Sequence, residues 1–212
     1  MTEKITVMMQ WQLVFTAAAA AALAFSVQAE DECRPPRPGD KHVHAWECCS
    51  VPGAMLPEKA IEEMKKCTEK FPVAFRPPGP PSGGPGDVTD LKKAHTCAAE
   101  CVFNESKLLT SDKKLDKAAI TKLFSSIVTG NKDMDALMTT VLDKCFASYA
   151  ADVDQSSECK SGAKELEHCV MREGFLGCPK SLWTASSDCE ELKTKVTKCP
   201  KFPVMMLQPP RM

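Results

Sequence analysis

A chain of 212 residues in which 27 Lys and Arg meet 28 Asp and Glu, for a net charge of −1, lacks the basic excess that phosphate binding demands. A nucleic-acid role is therefore excluded at the outset. The length suits one domain with a proper core, and an even count of twelve cysteines points to a disulfide framework in an oxidising compartment.

In chain order, the alanine-rich apolar run Leu13 to Val27 follows Lys4 and ends at the small-residue site Val27-Gln28-Ala29. It reads as a signal peptide over residues 1–29, with the mature protein starting near Glu30. A bilayer span takes about 20 apolar residues, so stable membrane insertion is not expected. Every cysteine, from Cys33 to Cys199, follows that cleavage point, and the expected location is secreted and extracellular.

Residues 30–56 combine Pro, charge and Cys33, Cys48 and Cys49 without a sustained period, which predicts an extended N-terminal arm stapled to the body. Adjacent Cys48 and Cys49 rarely bond each other and should tie the arm to two different places.

Helix signals begin at Pro57, with Ile61, Met64 and Cys67 at three-residue steps to about Lys70. Pro72 to Gly86 reads as a Pro/Gly-rich loop, and a second helix is expected from the caps Thr89 or Asp90, carrying Cys97 and Cys101. From Asp116 to Thr129, Ile120, Leu123, Phe124, Ile127 and Val128 share one side, with Gly130 as the C-terminal cap. Asp133 is the expected cap of the next helix, whose broad stripe runs from Met134 through Leu137, Met138, Val141, Leu142, Cys145 and Phe146 to Tyr149. Ser161 to Glu173 gives a further helix ended by Gly174, and Ser187 to Lys198 a last one. Pro179 and Pro200 stop the segments before them. Strand alternation is missing, so the fold class is all-α.

The spacing Cys97-x3-Cys101 puts two cysteines on one helix face, one turn apart, where they can anchor that helix to two neighbours. Around it stand Cys67, then Cys145, then Cys159-x9-Cys169-x8-Cys178-Pro179, then Cys189 and Cys199. This pattern resembles the insect odorant-binding proteins of the Plus-C subclass, with an x3 gap, an x8 gap and a proline after the sixth core cysteine. The segment Glu100-Cys101-Val102-Phe103-Asn104 is similar to the family's motif at this point, and the resemblance covers nearly all of residues 30–212. One departure is the gap of thirteen between Cys145 and Cys159, shorter than the subclass leads one to expect.

On that resemblance Cys67, Cys97, Cys101, Cys145, Cys169 and Cys178 are the core six, with implied bridges Cys67–Cys101, Cys97–Cys169 and Cys145–Cys178. The partners of Cys33, Cys48, Cys49, Cys159, Cys189 and Cys199 stay open, since six cysteines allow about 15 connectivities. The implied architecture is a compact, disulfide-stapled bundle of about six to eight short helices around an apolar cavity. It comprises an odorant-binding-protein-like core at 57–178 and a C-terminal extension at 179–212.

The resemblance implies a non-enzymatic carrier of small hydrophobic molecules, needing no cofactor. Pocket candidates are Phe103, Leu123, Phe124, Ile127, Leu137, Met138, Val141, Leu142, Phe146, Val170, Phe175 and Trp183, each of which ordinary core packing would equally use. The apolar tail Phe202 to Met212 is read either as folding over a pocket mouth or a partner surface or as a disordered end. Homodimerisation and contact with an odorant receptor are further expectations.

Three other readings are weaker. A secreted phospholipase A2 would show Cys-Cys followed by His-Asp, whereas Cys48-Cys49 is followed by Ser50-Val51-Pro52-Gly53 and His42 and His44 precede it; no catalytic motif is present. His42, His44, Cys48 and Cys49 could suggest a metal, but oxidised cysteines are the expected state. A disulfide-rich inhibitor or sequestering protein would use the Pro72–Gly86 loop as its contact surface and need no cavity. His95 and His168 each stand beside a core cysteine, where a histidine either modulates ligand release with pH or simply faces solvent, and Asn104-Glu105-Ser106 is an N-glycosylation sequon.

Overall fold

The structure is a computed structural model that describes residues 32–36, 40–51, 58–71, 85–128 and 130–206, with only the backbone described at 85–90. The signal-peptide stretch, most of the Pro72–Gly86 loop and the last six tail residues lie outside the described residues.

Among the described residues there are seven α-helices and no strand beyond two isolated bridges, Cys49 with Trp183 and Leu109 with Leu115. They are α1 (Ala45–Cys48), α2 (Glu58–Lys70), α3 (Pro85–Glu105), α4 (Lys117–Ile127), α5 (Lys132–Ser148), α6 (Ala163–Leu176) and α7 (Ser187–Lys198), with a short 3₁₀ turn at Tyr149–Asp152 after α5. The all-α reading holds.

Several local expectations are corrected. The arm is not wholly extended, because His44 donates its backbone N–H to the Glu47 carboxylate at 2.7 Å and starts the one-turn helix α1. Helix α3 begins at Pro85, inside the segment read as a loop, with proline at its first position where the missing N–H is harmless. Asn131, not Asp133, caps α5 by accepting from Met134 N at 3.1 Å; Asp133 accepts from Ser181 Oγ instead. Helix α6 runs through Gly174 and ends at Gly177, whose N–H reaches back to the Glu173 carbonyl. The caps Asp116 on α4 and Ser186 on α7 each accept from the backbone N–H three residues on.

Two buried clusters result. The larger lies between α3, α4, α5 and α6, with Ile120, Leu142, Leu166 and Val170 at its centre. The smaller surrounds the disulfides that join the arm to the end of α6 and to α7, with Phe175, Val196 and Phe202 among them. Helix α6 belongs to both. On one side it packs on α3 and α5, and on the other on α7. Glu173 binds it across this junction, accepting from Lys144 of α5 at 2.6 Å and from Arg172 at 2.7 Å. Arg172 also donates to the Val196 and Thr197 carbonyls near the end of α7, where cationic groups are favoured.

The six bridges are Cys33–Cys199, Cys48–Cys189, Cys49–Cys178, Cys67–Cys101, Cys97–Cys159 and Cys145–Cys169. Cys48 and Cys49 do tie the arm to two places. The implied Cys97–Cys169 and Cys145–Cys178 bridges are corrected. Glu100 of α3 accepts from Ser161 N at 2.9 Å, which pins the approach to α6 against α3 and sets Cys159 beside Cys97. Cys169, about two turns into α6, faces α5 and takes Cys145. Cys178 lies past the helix end, beside the arm. The interlocked core six are therefore Cys67, Cys97, Cys101, Cys145, Cys159 and Cys169, one cysteine earlier in the chain at the last two positions than the resemblance placed them.

Candidate functional site

The stripes of α4, α5 and α6 do not close completely on one another. Where they part, a small apolar cavity of about 40 Å³ remains, lined by Phe124, Ile127 and Val128, by Met134 and Met138, by Val170, Met171 and Gly174, and by Val51 and Met206. The last two come from the arm and the tail, so the cavity sits between the helical core and the segments bridged onto it. The Leu182 carbonyl accepts from Ser50 N at 3.1 Å, next to Val51. His168 Nε2 lies 3.2 Å from the Phe202 carbonyl, which fixes the chain four residues before Met206.

Every lining side chain is apolar. At about 40 Å³ the space exceeds the ~30 Å³ share of one liquid water only slightly, far below the ~300–1,000 Å³ of a pocket that encloses a drug-sized ligand. The space is thus a small, partly open apolar recess, not a cavity of ligand size. Its walls are adaptable, because four of the ten described lining residues are methionines, whose unbranched thioether side chains change rotamer at low cost.

Of the twelve pocket candidates, the structure brings Phe124, Ile127, Met138 and Val170 to this cavity. Phe103, Val141 and Leu142 are buried in the larger cluster, with Leu123, Leu137 and Phe146 packed against it. Phe146 stands edge-on to Tyr149 at 6.0 Å, and Lys117 lies 5.5 Å over its ring. Phe175 and Trp183 are elsewhere, in contact at 5.5 Å within the disulfide-rich cluster. Val128 and Met134 carried a legible signal, the same helical stripes as their neighbours. Met206 lies in the apolar tail that one reading of the sequence placed over a pocket mouth. Met171 and Gly174 of α6 were not singled out, and Val51 carried no signal, because periodicity within one helix says nothing about which arm residue will cover it.

A second, larger space lies outside the core. It is an open groove of about 1,000 Å³ between the arm, α7 and residues 202–205, with mixed polar and apolar walls. It shares no lining residue with the apolar cavity. For an uncharged hydrophobic guest the smaller space is the better match, since affinity there comes from apolar surface removed from water at roughly 25 cal/mol per Å². Among the described residues no group of three or more side chains is arranged to hold a metal ion, and His42 and His44 pair with rings, each other's and that of Trp46. No helix among them is long and apolar enough to cross a membrane.

Comparison with known proteins places this geometry in context. A family model described as AgamOBP47-like matches residues 89–195. The chain is 28% identical over 192 residues to Odorant-binding protein 47 of Anopheles gambiae, covering 82% of this chain and 76% of that protein. It is 26% identical over 161 residues to General odorant-binding protein 68 of the same organism, covering 72% and 68% respectively.

Proposed function

We propose a carrier function for this chain on the premise that it belongs to the AgamOBP47-like family of insect odorant-binding proteins. It takes up a small, uncharged hydrophobic molecule between α4, α5, α6 and the two bridged segments, and carries it through extracellular fluid after secretion. Its twelve cysteines are consistent with the Plus-C subclass.

The observation that carries this reading is the cavity itself, a wholly apolar space at the seam between core and extensions, with methionines on several sides. Uptake requires the space to enlarge several-fold. Met134, Met138 and Met171 swing aside, and Met206 withdraws with the residues that follow Phe202, which itself stays buried and anchored by His168, by its N–H to the Cys199 carbonyl and by Lys195 over its ring. The disulfides keep the remainder in place, since Cys199 is bridged to Cys33 just before the tail begins.

Displacement of a hydrophobic fluorescent probe tests this reading, using the oxidised chain without residues 1–29 and a panel of volatile compounds. Saturable displacement at micromolar concentrations is expected, with faster probe uptake when residues 205–212 are removed. A correctly bridged, helical protein that never admits the probe, with or without the tail, would overturn it.

A further inference from the structure

We propose that the side-chain amine of Lys164, held where α6 meets α3, captures small aldehydes as a reversible imine. The activity does not rest on the carrier reading, because no lysine lines the apolar recess.

Lys164 is the second residue of α6 and is half-buried. Its Nζ donates to Thr96 Oγ1 of α3 at 3.5 Å. Among the described residues no carboxylate forms an ion pair with it, whereas Asp143 and Glu173 hold the ammonium groups of Lys117 and Lys144 at 2.7 and 2.6 Å. The Thr96 hydroxyl gives its own hydrogen to the Lys92 carbonyl at 3.0 Å, so toward Lys164 it can only accept. One N–H is thereby tethered, and in the uncharged amine the lone pair is left for an electrophile.

The position also disfavours the ammonium form. Lys164 stands in the first turn of α6, at the positive end of the helix dipole. Desolvation, with the Lys92 charge adding to it, holds its pKa below the ordinary lysine value despite the carboxylates of Glu165 and Glu167. The uncharged fraction is therefore larger than on a fully hydrated lysine, the condition that makes a lysine nucleophilic toward a carbonyl carbon. An aldehyde needs only that amine, whereas an ester or amide would also need groups that stabilise an oxyanion and a leaving group. The lone pair adds to the aldehyde carbon, and the carbonyl oxygen departs as water with the two amine hydrogens. A C=N bond replaces C=O, and protonation of its nitrogen restores an N–H for Thr96. Hydrolysis reverses the step, and no redox partner is needed.

Reductive trapping tests the assignment. The oxidised chain without residues 1–29 is held at neutral pH with substoichiometric hexanal and cyanoborohydride, and the alkylated lysines are located by peptide mass spectrometry. Among lysine side chains, Lys164 should carry several-fold more label than any exposed one, Lys92 included. The preference should vanish in reduced, urea-unfolded protein, and Lys164→Arg should remove the dominant side-chain adduct. Label spread evenly over the lysines of the folded protein, a dominant adduct at another lysine, or an equal Lys164 preference in the unfolded chain would each overturn it.

Discussion

Ser106, just past the end of α3, donates its hydroxyl to Oε2 of Glu63 on α2 at 2.6 Å, across 43 residues of sequence. Among the described residues Glu63 is the buried charged side chain, only 6% exposed, and its other partner is the solvent-facing Lys59 at 3.9 Å. The hydroxyl therefore supplies the short hydrogen bond that makes the carboxylate's burial tolerable. Ser106→Ala should destabilise the fold by about 1–3 kcal/mol in urea denaturation of unglycosylated protein, while Ser106→Thr retains most of the stability. The same serine completes the sequon of Asn104, whose side chain is exposed. Protein secreted from insect cells should carry an N-glycan at Asn104, seen by mass spectrometry before and after enzymatic deglycosylation, and Ser106→Ala should abolish it.

Gly162 precedes α6 with φ of +82°, and a Cβ built there would lie 2.5 Å from the Tyr149 ring. Gly130 has φ of +92° but nothing within 4 Å of such a Cβ. Gly130→Ala should cost only the left-handed backbone penalty, about 1–2 kcal/mol. Gly162→Ala should cost more, because the ring must also shift. Thermal melts of the two variants check the order.

Gly174 lies inside α6 and lines the apolar cavity, with open space where a Cβ would stand. Gly174→Ala should stabilise the helix by about 0.5–1 kcal/mol and at the same time weaken probe binding by occupying part of the cavity. Higher stability with lower affinity is the expected pair of results. Affinity unchanged by both Gly174→Ala and Gly174→Val would place the guest elsewhere.

Disulfide mapping by mass spectrometry should recover Cys97 linked to Cys159, Cys145 to Cys169 and Cys49 to Cys178. A peptide joining Cys97 to Cys169 would contradict the fold, since α6 could not then face α5 through Cys169.

Partial desolvation and the nearby Lys164 ammonium hold the His95 pKa below the ordinary histidine value. The folded state thus binds fewer protons than the unfolded state between the two pKa values. Its contribution to stability is present above the ordinary value and is lost as pH falls through the folded one. An NMR titration should show His95 protonating later than a free histidine on acidification, and His95→Gln should flatten the stability profile slightly in that window.

The all-α class, most helix positions and the existence of a stapled arm were legible in the sequence because they follow from local rules: apolar spacing, caps, prolines and cysteine count. Boundaries failed where two local signals competed. Pro85 reads equally as loop or first helical turn, and Gly174 as a stop or as a small residue in a packed helix. The bridge assignment failed for a different reason. Cys159, Cys169 and Cys178 are separated by gaps of nine and eight residues, and spacing alone cannot choose between them.

The sequence by itself thus determined that this is a disulfide-framed helical protein with apolar stripes on its middle helices. It also determined the family those cysteines resemble. Only the tertiary structure decided which cysteines meet, through the Ser161 to Glu100 hydrogen bond that sets the approach to α6 against α3. It also decided which four of the candidate side chains reach a cavity and that Val51 and Met206 cover it. Those outcomes depend on the packing of segments distant in sequence, and no period within a single helix encodes them.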